Sequence, residues 1–240
     1  MAVNRQLGVN SAIILKYGTA DQATVKGINR LTLPALTRSK ITSEEFGVDF
    51  NVHDAGGGEH GDLSYGGNMV AGDTKGQDQL KSYLINNTKF TDARVYIDTV
   101  LEHFLAPDTA ADSETGFQVL SHVPGEVGKN GTYPFTGSFA INGKYAVFTV
   151  HKTDVATPTL AFVAAVTPGT TSATITDSAS GFVDAGFAAG QSLIIEGSTS
   201  NDGMYTILSV IAGTITLVVA DALSAEPSPG VACSLHGGTM

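Results

Sequence analysis

The chain of 240 residues carries 23 acidic and 13 basic residues, a net charge of −10, and 42% of its residues are apolar. This apolar fraction excludes a disordered polyelectrolyte, and the many Gly, Thr, Ser and Val residues indicate a mostly β, globular protein. The acidic balance argues against a surface that grips nucleic acid, because such binding depends on Lys and Arg neutralising phosphates.

The basic residues are confined to one part of the chain. All 13 Lys and Arg lie in residues 1–152 beside 16 acids, whereas residues 153–240 hold 7 acids and no Lys or Arg. A chain of this length is sufficient for two domains with separate cores. We therefore predict one domain over residues 1–154 and a second over residues 155–240.

The cysteine count and the lengths of the apolar runs argue against an internal disulfide, a thiolate metal cluster and a membrane-spanning segment. Cys233 has no second cysteine with which to form an internal disulfide or a thiolate metal cluster. The longest apolar run, residues 160–166, is too short to span a bilayer, and no apolar segment follows the first six residues. We expect no membrane insertion and no signal peptide.

In chain order, residues 12–17 predict a first buried strand and residues 30–37 a second, in which Pro34 favours an edge or a bend. Residues 40–61 have no clear pattern, and a segment this long without structure of its own is usually functional or disordered. We expect the final hairpin of the N-terminal domain later in the chain, over residues 135–151.

Within the irregular segment, apolar and polar residues alternate. The apolar members are Phe46, Val48, Phe50 and Val52. Such an alternation is typical of a strand, although nothing nearby in the sequence offers it a partner. We therefore suspect a hairpin arm that contacts a neighbouring subunit.

The helix signal begins after this segment. Thr74 and Gln77 have the spacing of a capping box, in which each side chain satisfies an amide at the helix start. An apolar stripe with i, i+3, i+4 spacing then follows, formed by Leu80, Tyr83 and Leu84. We predict a helix of about three turns over residues 74–87, packed on a sheet through this stripe.

Residues 93–101 alternate as a strand and residues 106–114 are a polar loop. Asn142-Gly143 separates two further alternating runs, and this dipeptide favours a type I′ turn between paired strands. The remaining strands are predicted over residues 159–166, 172–176, 192–196, 204–211, 214–219 and 232–236. Their close spacing indicates a small sandwich or barrel.

Three motifs could indicate a catalytic or binding site, and each also has a simpler structural interpretation. Gly56, Gly58 and Gly61 match the letters of a dinucleotide-binding loop, but no helix follows them as that motif requires. A short window also holds metal-ligand chemistry in His53, Asp54, Glu59, His60 and Asp62. Their spacing matches no defined metal site, and a flexible, solvated loop is favoured.

Cys233 has only His236 beside it, which indicates a buried or idle thiol more than a nucleophile. No nucleophile elbow or phosphate-binding loop is present in the sequence. We therefore predict that the protein is not an enzyme, with no catalytic residue, cofactor or metal.

Three elements together resemble the core of the tail tube (major tail) proteins of long-tailed bacteriophages. They are the segment 61–68, the helix 74–87 and the strand 95–101. The order of strand, long loop, strand, helix, strand and final hairpin is similar as well. Residues 192–207 resemble a strand-turn-strand of β domains that are appended to phage virion proteins.

The resemblance implies a mainly β fold, with a tail-tube-like sandwich or barrel that carries one helix on its outer face, plus a small C-terminal all-β, sandwich-like decoration domain. It implies hexameric rings that stack into a tube around a lumen, through which DNA passes without specific binding. The implied partners are other copies of the chain, a tape-measure protein and tail-terminator or tip proteins. The implied location is the virion tail, assembled in the host cytoplasm.

Two alternatives remain open at this stage. The protein could have another virion role, as a head decoration or head-completion protein. The C-terminal domain could instead be a carbohydrate-binding or adhesin module that uses the polar turn 197–203. We expect that the C-terminal domain can be removed without loss of the tube.

Overall fold

The computed structural model describes residues 11–43, 52–110, 115–126, 131, 133–154, 159–167, 169–226 and 233–239, without the side chains of 36–43, 52–60, 151–154 and 239. Strands account for 48% of the residues, and a single short helix accompanies them in this described part. The predicted fold class, mainly β with one helix, is confirmed.

The described part of residues 1–154 contains twelve strands and the helix. They are β1 Ala12–Leu15, β2 Ala23–Thr24, β3 Ile28–Thr32, β4 Leu36–Ser43, β5 Val52–His60, β6 Leu63–Asn68, α1 Gln77–Ile85, β7 Lys89–Phe90, β8 Arg94–Asp98, β9 His103–Pro107, β10 Gly116–Pro124, β11 Pro134–Asn142 and β12 Tyr145–Asp154. The later described strands are β13 Leu160–Val163, β14 Thr174–Asp177, β15 Ser192–Glu196, β16 Gly203–Ile211, β17 Thr214–Leu217 and β18 Cys233–Thr239.

These strands form three sheets. The largest has eleven strands in the order β13-β14-β17-β16-β15-β18-β12-β9-β8-β1-β2. A second sheet has the order β3-β6-β11-β10-β7, and β4 and β5 form a separate two-stranded sheet. The two larger sheets are antiparallel, as short connections between successive strands allow.

The first hydrophobic core lies between the five-stranded sheet, α1 and the N-terminal strands of the large sheet. Its fully buried members include Ile13 of β1, Val95 of β8, and the aromatic residues Phe117 and Phe139. Alternate residues of each strand point to one face, so the alternating pattern in the sequence buries one face of each strand here. A second core, built from β13–β18 and the turns around Phe182, fills the C-terminal part.

The helix begins later than its sequence pattern predicts, and its start is satisfied differently. α1 begins at Gln77 after Gly76, without a side-chain cap from that residue. Asp73 instead accepts hydrogen bonds from the amides of Gln77 (2.9 Å) and Lys26 (3.0 Å). The predicted Thr74–Gln77 capping box is therefore wrong, because the Gln77 side chain donates to Lys26 and Asn68 carbonyl oxygens instead.

The predicted apolar stripe of α1 lies toward the first core. Leu80 and Tyr83 are buried, and Leu84 packs against the core at its margin. The Tyr83 ring stacks on Phe90 of β7 with centroids 4.7 Å apart. The helix is thus fixed to the edge of the five-stranded sheet by aromatic packing.

The predicted hairpin at Asn142-Gly143 is wrong in its pairing, although both strands exist. β11 pairs with β6 and β10, whereas β12 pairs with β9 and β18, so the turn carries the chain from one sheet to the other. Gly143 has a φ of 78°, but Asn142 is not among the residues with positive φ, and a type I′ turn requires both. The Lys144 amide donates to Thr115 Oγ1 at 3.0 Å, which ties the turn to the strand beside it.

Other predicted elements are partly right. Pro34 separates β3 from β4, so the predicted strand 30–37 is interrupted, and the strand 93–101 stops at Asp98, leaving Leu101 half-exposed in a turn. All six predicted C-terminal strands are present with ends shifted by a few residues. The segment 40–61, predicted to be an irregular loop, contains the strand β5 and the last residues of β4.

One buried polar pair lies inside the first core. The Tyr65 hydroxyl is 3.2 Å from both the Ser121 carbonyl oxygen and Nδ1 of His122. His122 Nε2 is buried and has no hydrogen-bond partner in the described part of the protein. Burial lowers the pKa of His122, and the charge of Lys81 lowers it further, while Asp78 opposes them. The imidazole is therefore held neutral in the folded chain.

We expect His122→Phe to flatten the fall in stability on acidification. The unfolded chain takes up a proton near the ordinary pKa of 6.5, whereas the folded chain resists it, so stability is lost as the pH falls below that value. Denaturant midpoints of both proteins at pH 7 and pH 5 measure this difference, and the other histidines cancel in the comparison. If the denaturant midpoints of the two proteins fall equally between pH 7 and pH 5, His122 does not resist protonation in the folded chain.

Candidate assembly surfaces

The two-stranded sheet is joined to the body of the protein at a narrow base. β4 and β5 pair from Leu36 opposite His60 to Ser43 opposite Val52, and neither strand belongs to the two larger sheets. At the base, the Gly61 amide donates to the Ala35 carbonyl oxygen at 2.8 Å. The hairpin, which we call the arm, therefore leaves the body at a single closed point.

Of the four suspected inter-subunit residues, the structure describes only Val52. Val52 is the first residue of β5, and its backbone pairs with Ser43. Phe46, Val48 and Phe50 lie outside the described residues. The contact with a neighbouring subunit that we expect of these four residues stays a prediction.

The five-stranded sheet has one face on the first core and one open face. The open face carries small polar residues such as Ser64, Thr136 and Ser138, and the Ser138 hydroxyl lies 2.9 Å from that of Ser121 on the next strand. The Arg30 guanidinium lies across Gly66, where a Cβ would approach within 3.0 Å of it. None of the five strands contains an Asp or Glu, so this face lacks negative side chains.

No further strand pairs with either edge of this sheet in the described part of the chain. β7 pairs only with Phe117 and Gln118 of β10, so the following residues of β10 have no strand on that side, and Leu120 and Val123 there are 47% and 55% exposed. At the opposite edge, β3 borders a groove of about 420 Å³ that Leu33 lines. An edge of this kind is a template for pairing with another chain.

Most residues of the predicted metal-ligand and glycine motifs lie in the arm, and Gly61 and Asp62 directly follow it. Gly56, Gly58, His53 and Glu59 lie within β5, so the glycines do not form a turn that opens a helix, and the predicted loop is in fact a strand. Among the residues whose side chains the structure describes, no three ligating groups lie together. Cys233, the other reactive candidate, is buried in the second core.

The polar turn 197–203, a candidate for binding glycans, is held from inside the protein. The buried carboxylate of Glu226 accepts hydrogen bonds from the amides of Thr199 (3.1 Å) and Ser200 (2.8 Å) and from Asn201 Nδ2 (2.5 Å). Asn201 is itself buried and accepts from the Ser224 amide at 2.7 Å. These donors are therefore engaged within the chain and not turned to a ligand.

Comparisons with known proteins give no family. No family model and no curated protein matches the chain. Solved structures with similar folds include the virion of a native gene transfer agent particle (13% identity, 60% of this chain, 98% of that one, TM-score 0.42). The tail of an empty gene transfer agent particle with C6 symmetry (14%, 60%, 98%, 0.43) and the anti-feeding prophage baseplate (14%, 57%, 91%, 0.39) are also similar. At these TM-scores the similarity carries no argument about function.

In the described part of the chain, no helix is long and apolar enough to cross a bilayer.

We expect Glu226→Ala to destabilise the C-terminal part by about 1–3 kcal/mol, because it strands buried donors of the turn. The matched control is Asp184→Ala, which removes an exposed carboxylate from the same part of the chain and should change stability by less than about 0.5 kcal/mol. Denaturant titrations of the three proteins give both differences. Equal midpoints for Glu226→Ala and the control would mean that the turn does not depend on this carboxylate.

Proposed function

We propose that the protein is a structural subunit of a phage-like tail tube, which assembles as rings, hexameric by the family resemblance, stacked around a lumen for DNA. One observation carries the proposal: among the described strands, the five-stranded sheet has no further strand at either edge, and the arm pairs with neither of the two larger sheets. Such a subunit leaves rows of backbone amide and carbonyl groups without a strand partner, and these rows are a template for pairing with another copy.

Ring formation gives each open edge a partner. An interface that joins two different edges of the same subunit is heterologous, and it forms a ring when the rotation between subunits closes. Pairing the β10 edge of one copy with the β3 edge of the next would continue the five-stranded sheet around the ring.

The open face of the five-stranded sheet is the surface that we assign to the lumen. Its small polar side chains and lack of carboxylates present little charge to DNA, apart from Arg30 and Lys89. Too few cations lie there for the many phosphate contacts that tight binding requires. DNA would therefore pass without being held.

The remaining assignments follow from this role. The partners are other copies of the chain, with tape-measure and tail-terminator or tip proteins at the ends of the tube, and the location is the virion tail after assembly in the host cytoplasm. The protein then needs no catalytic residue, cofactor or metal. Another virion role, in head decoration or completion, would give rings of a different symmetry in electron micrographs.

We expect removal of the arm to abolish assembly and leave the body folded. Ala35 and Gly61 are hydrogen-bonded at the base of the arm, so replacing residues 36–60 by two glycines closes the chain without strain. The milder pair Phe46→Ser and Phe50→Ser should weaken assembly, because a Phe side chain that becomes buried in a contact between copies contributes about 1.5–3 kcal/mol. Negative-stain microscopy and circular dichroism measure assembly and folding.

The control for the arm variants is Val166→Ser, at a side chain that is 91% exposed, which should assemble like the natural chain. Persistent monomers of the natural chain, even with tail tips as seeds, would overturn the tube proposal. If the arm variants unfold, these residues belong to the core of the subunit. If they assemble normally, the arm is not the contact between copies.

We expect a cysteine introduced at Thr136, on the open face, to become protected when tubes form. Thr136→Cys should react with a large polyethylene-glycol maleimide in the monomer and lose most of that reaction in tubes, while Val166→Cys should react in both. The buried Cys233 is the background in each protein. Tubes in which Thr136→Cys stays reactive would overturn the lumen assignment alone.

A further inference from the structure

The last strand of the chain joins the two predicted domains into one sheet. β18 lies between β12 and β15, pairing Val150 with His236 on one side and Ile194 with His236 on the other. Asp154, the last residue of the predicted N-terminal domain, is opposite Cys233. The boundary at 154/155 therefore lies within a continuous eleven-stranded sheet, and backbone hydrogen bonds cross from one part to the other.

A third hydrophobic cluster fills the junction between residues 1–154 and the C-terminal module, residues 155–240. The N-terminal part contributes Phe104 and Phe148, whose rings stack 5.5 Å apart, and the C-terminal module contributes Ile194. His236 meets the edge of Phe104 at 5.6 Å. At Gly238 an added Cβ would lie 2.5 Å from the Phe148 ring, so the two surfaces are in close contact.

An ion pair crosses the same junction. Arg94 of β8 is 7% exposed, and its guanidinium binds the carboxylate of Glu196 at the end of β15. Nε2 of His236 lies 3.1 Å from the other Glu196 oxygen. The guanidinium is held between two rings, 3.5 Å from the centroid of Tyr17 and 4.2 Å from that of Phe104.

The pair is charged at neutral pH. Burial by itself would raise the pKa of Glu196, but hydrogen bonds and charge attraction from His236 and Arg94 outweigh it and lower the pKa from 4.5 to about 2. Breaking a buried pair by removing one partner is strongly destabilising, because it leaves an uncompensated charge. Arg94 therefore depends on a residue of the C-terminal module.

A second polar contact supports the same junction. Ser192 of β15 donates a hydrogen bond to the carboxylate of Asp108 at 2.6 Å, and both residues are buried. Thr109 beside it lies 3.7 Å from the sulfur of Met204. Backbone pairing, apolar packing and two polar contacts thus join the C-terminal module to the sheet that it extends.

We propose that the C-terminal module is not a removable decoration but folds as one cooperative unit with residues 1–154, fastened by β18 and the Arg94–Glu196 pair. Without the module, β12 would lose β18, one of its two neighbouring strands, and would become an exposed edge. Phe104 and Phe148 would also become less buried. Removing residues 155–240 would therefore disturb the body of the protein, in contrast to the expectation from the charge distribution alone.

Hydrogen exchange on the full-length chain tests this proposal without cutting it. Leu217→Ala opens a cavity in the second core, whereas β6 and β11 belong to the five-stranded sheet and line the first core. If the two parts unfold together, the substitution should speed the slowest exchange of β6 and β11 amides as much as that of β14 amides, on the order of a hundredfold. Faster exchange confined to residues 155–240 would overturn the proposal.

Two further variants keep the test interpretable. Ile215→Val, a smaller cavity in the same core, should give the same shared pattern at about two- to tenfold if Leu217→Ala proves too unstable to study. The double variant Glu196→Gln, Ile215→Val tests whether Glu196 couples the two parts. In this variant, the increase in exchange rate of β6 and β11 amides should be smaller, relative to that of β14 amides, than in Ile215→Val alone. An undiminished effect would show that Glu196 does not couple the two parts.

The exposed substitution Val166→Ser is the control, and it should leave exchange unchanged in both parts. The test needs no assembly, so it gives a result whether or not the chain forms a tube. A failure of co-folding is in this way distinguishable from a failure of the tube proposal.

Discussion

Strand edges constrain this protein more than any other feature. Each edge has a row of amide and carbonyl groups that must find partners, and the chain treats its edges in two ways. β18 returns from the far end of the chain to cover β12, which closes that edge within one subunit. The edges at β3 and β10 stay open among the described strands, and the arm stands apart from both large sheets. The covered edge stabilises the subunit, and the open edges favour association.

The positions of strands were easier to predict from the sequence than their partners. Alternation marks a residue as facing the core whichever strand lies beside it, so β11 and β12 were found with nearly correct ends. Their pairing was not, since the Asn142-Gly143 turn is compatible with a hairpin and with a crossing between sheets. The contacts that decide between them, such as that of Thr115 with Lys144, come from distant parts of the sequence.

The candidate surfaces show the same limit. Alternating apolar residues indicate the arm, but its strands contain three glycines and several charged residues, a composition that predicts a loop at β5. Asp73, which accepts from the Gln77 amide at the start of α1, also accepts from the Lys26 amide, and no local pattern predicts that second contact. The continuity of the large sheet was hidden for a similar reason, because β18 finds β12 about eighty residues away in the chain.

The absence of Lys and Arg from the C-terminal module has a structural counterpart. Several of its carboxylates take hydrogen bonds from backbone amides in place of cations: Asp177 accepts from two amides of the following turn, Asp221 from the Thr206 amide in β16, and Glu226 from the turn 197–203. Glu196 is different, because it lies at the junction and binds Arg94. Because the module has no Lys or Arg, the guanidinium that pairs with this partly buried carboxylate comes from the part of the chain to which the module is joined.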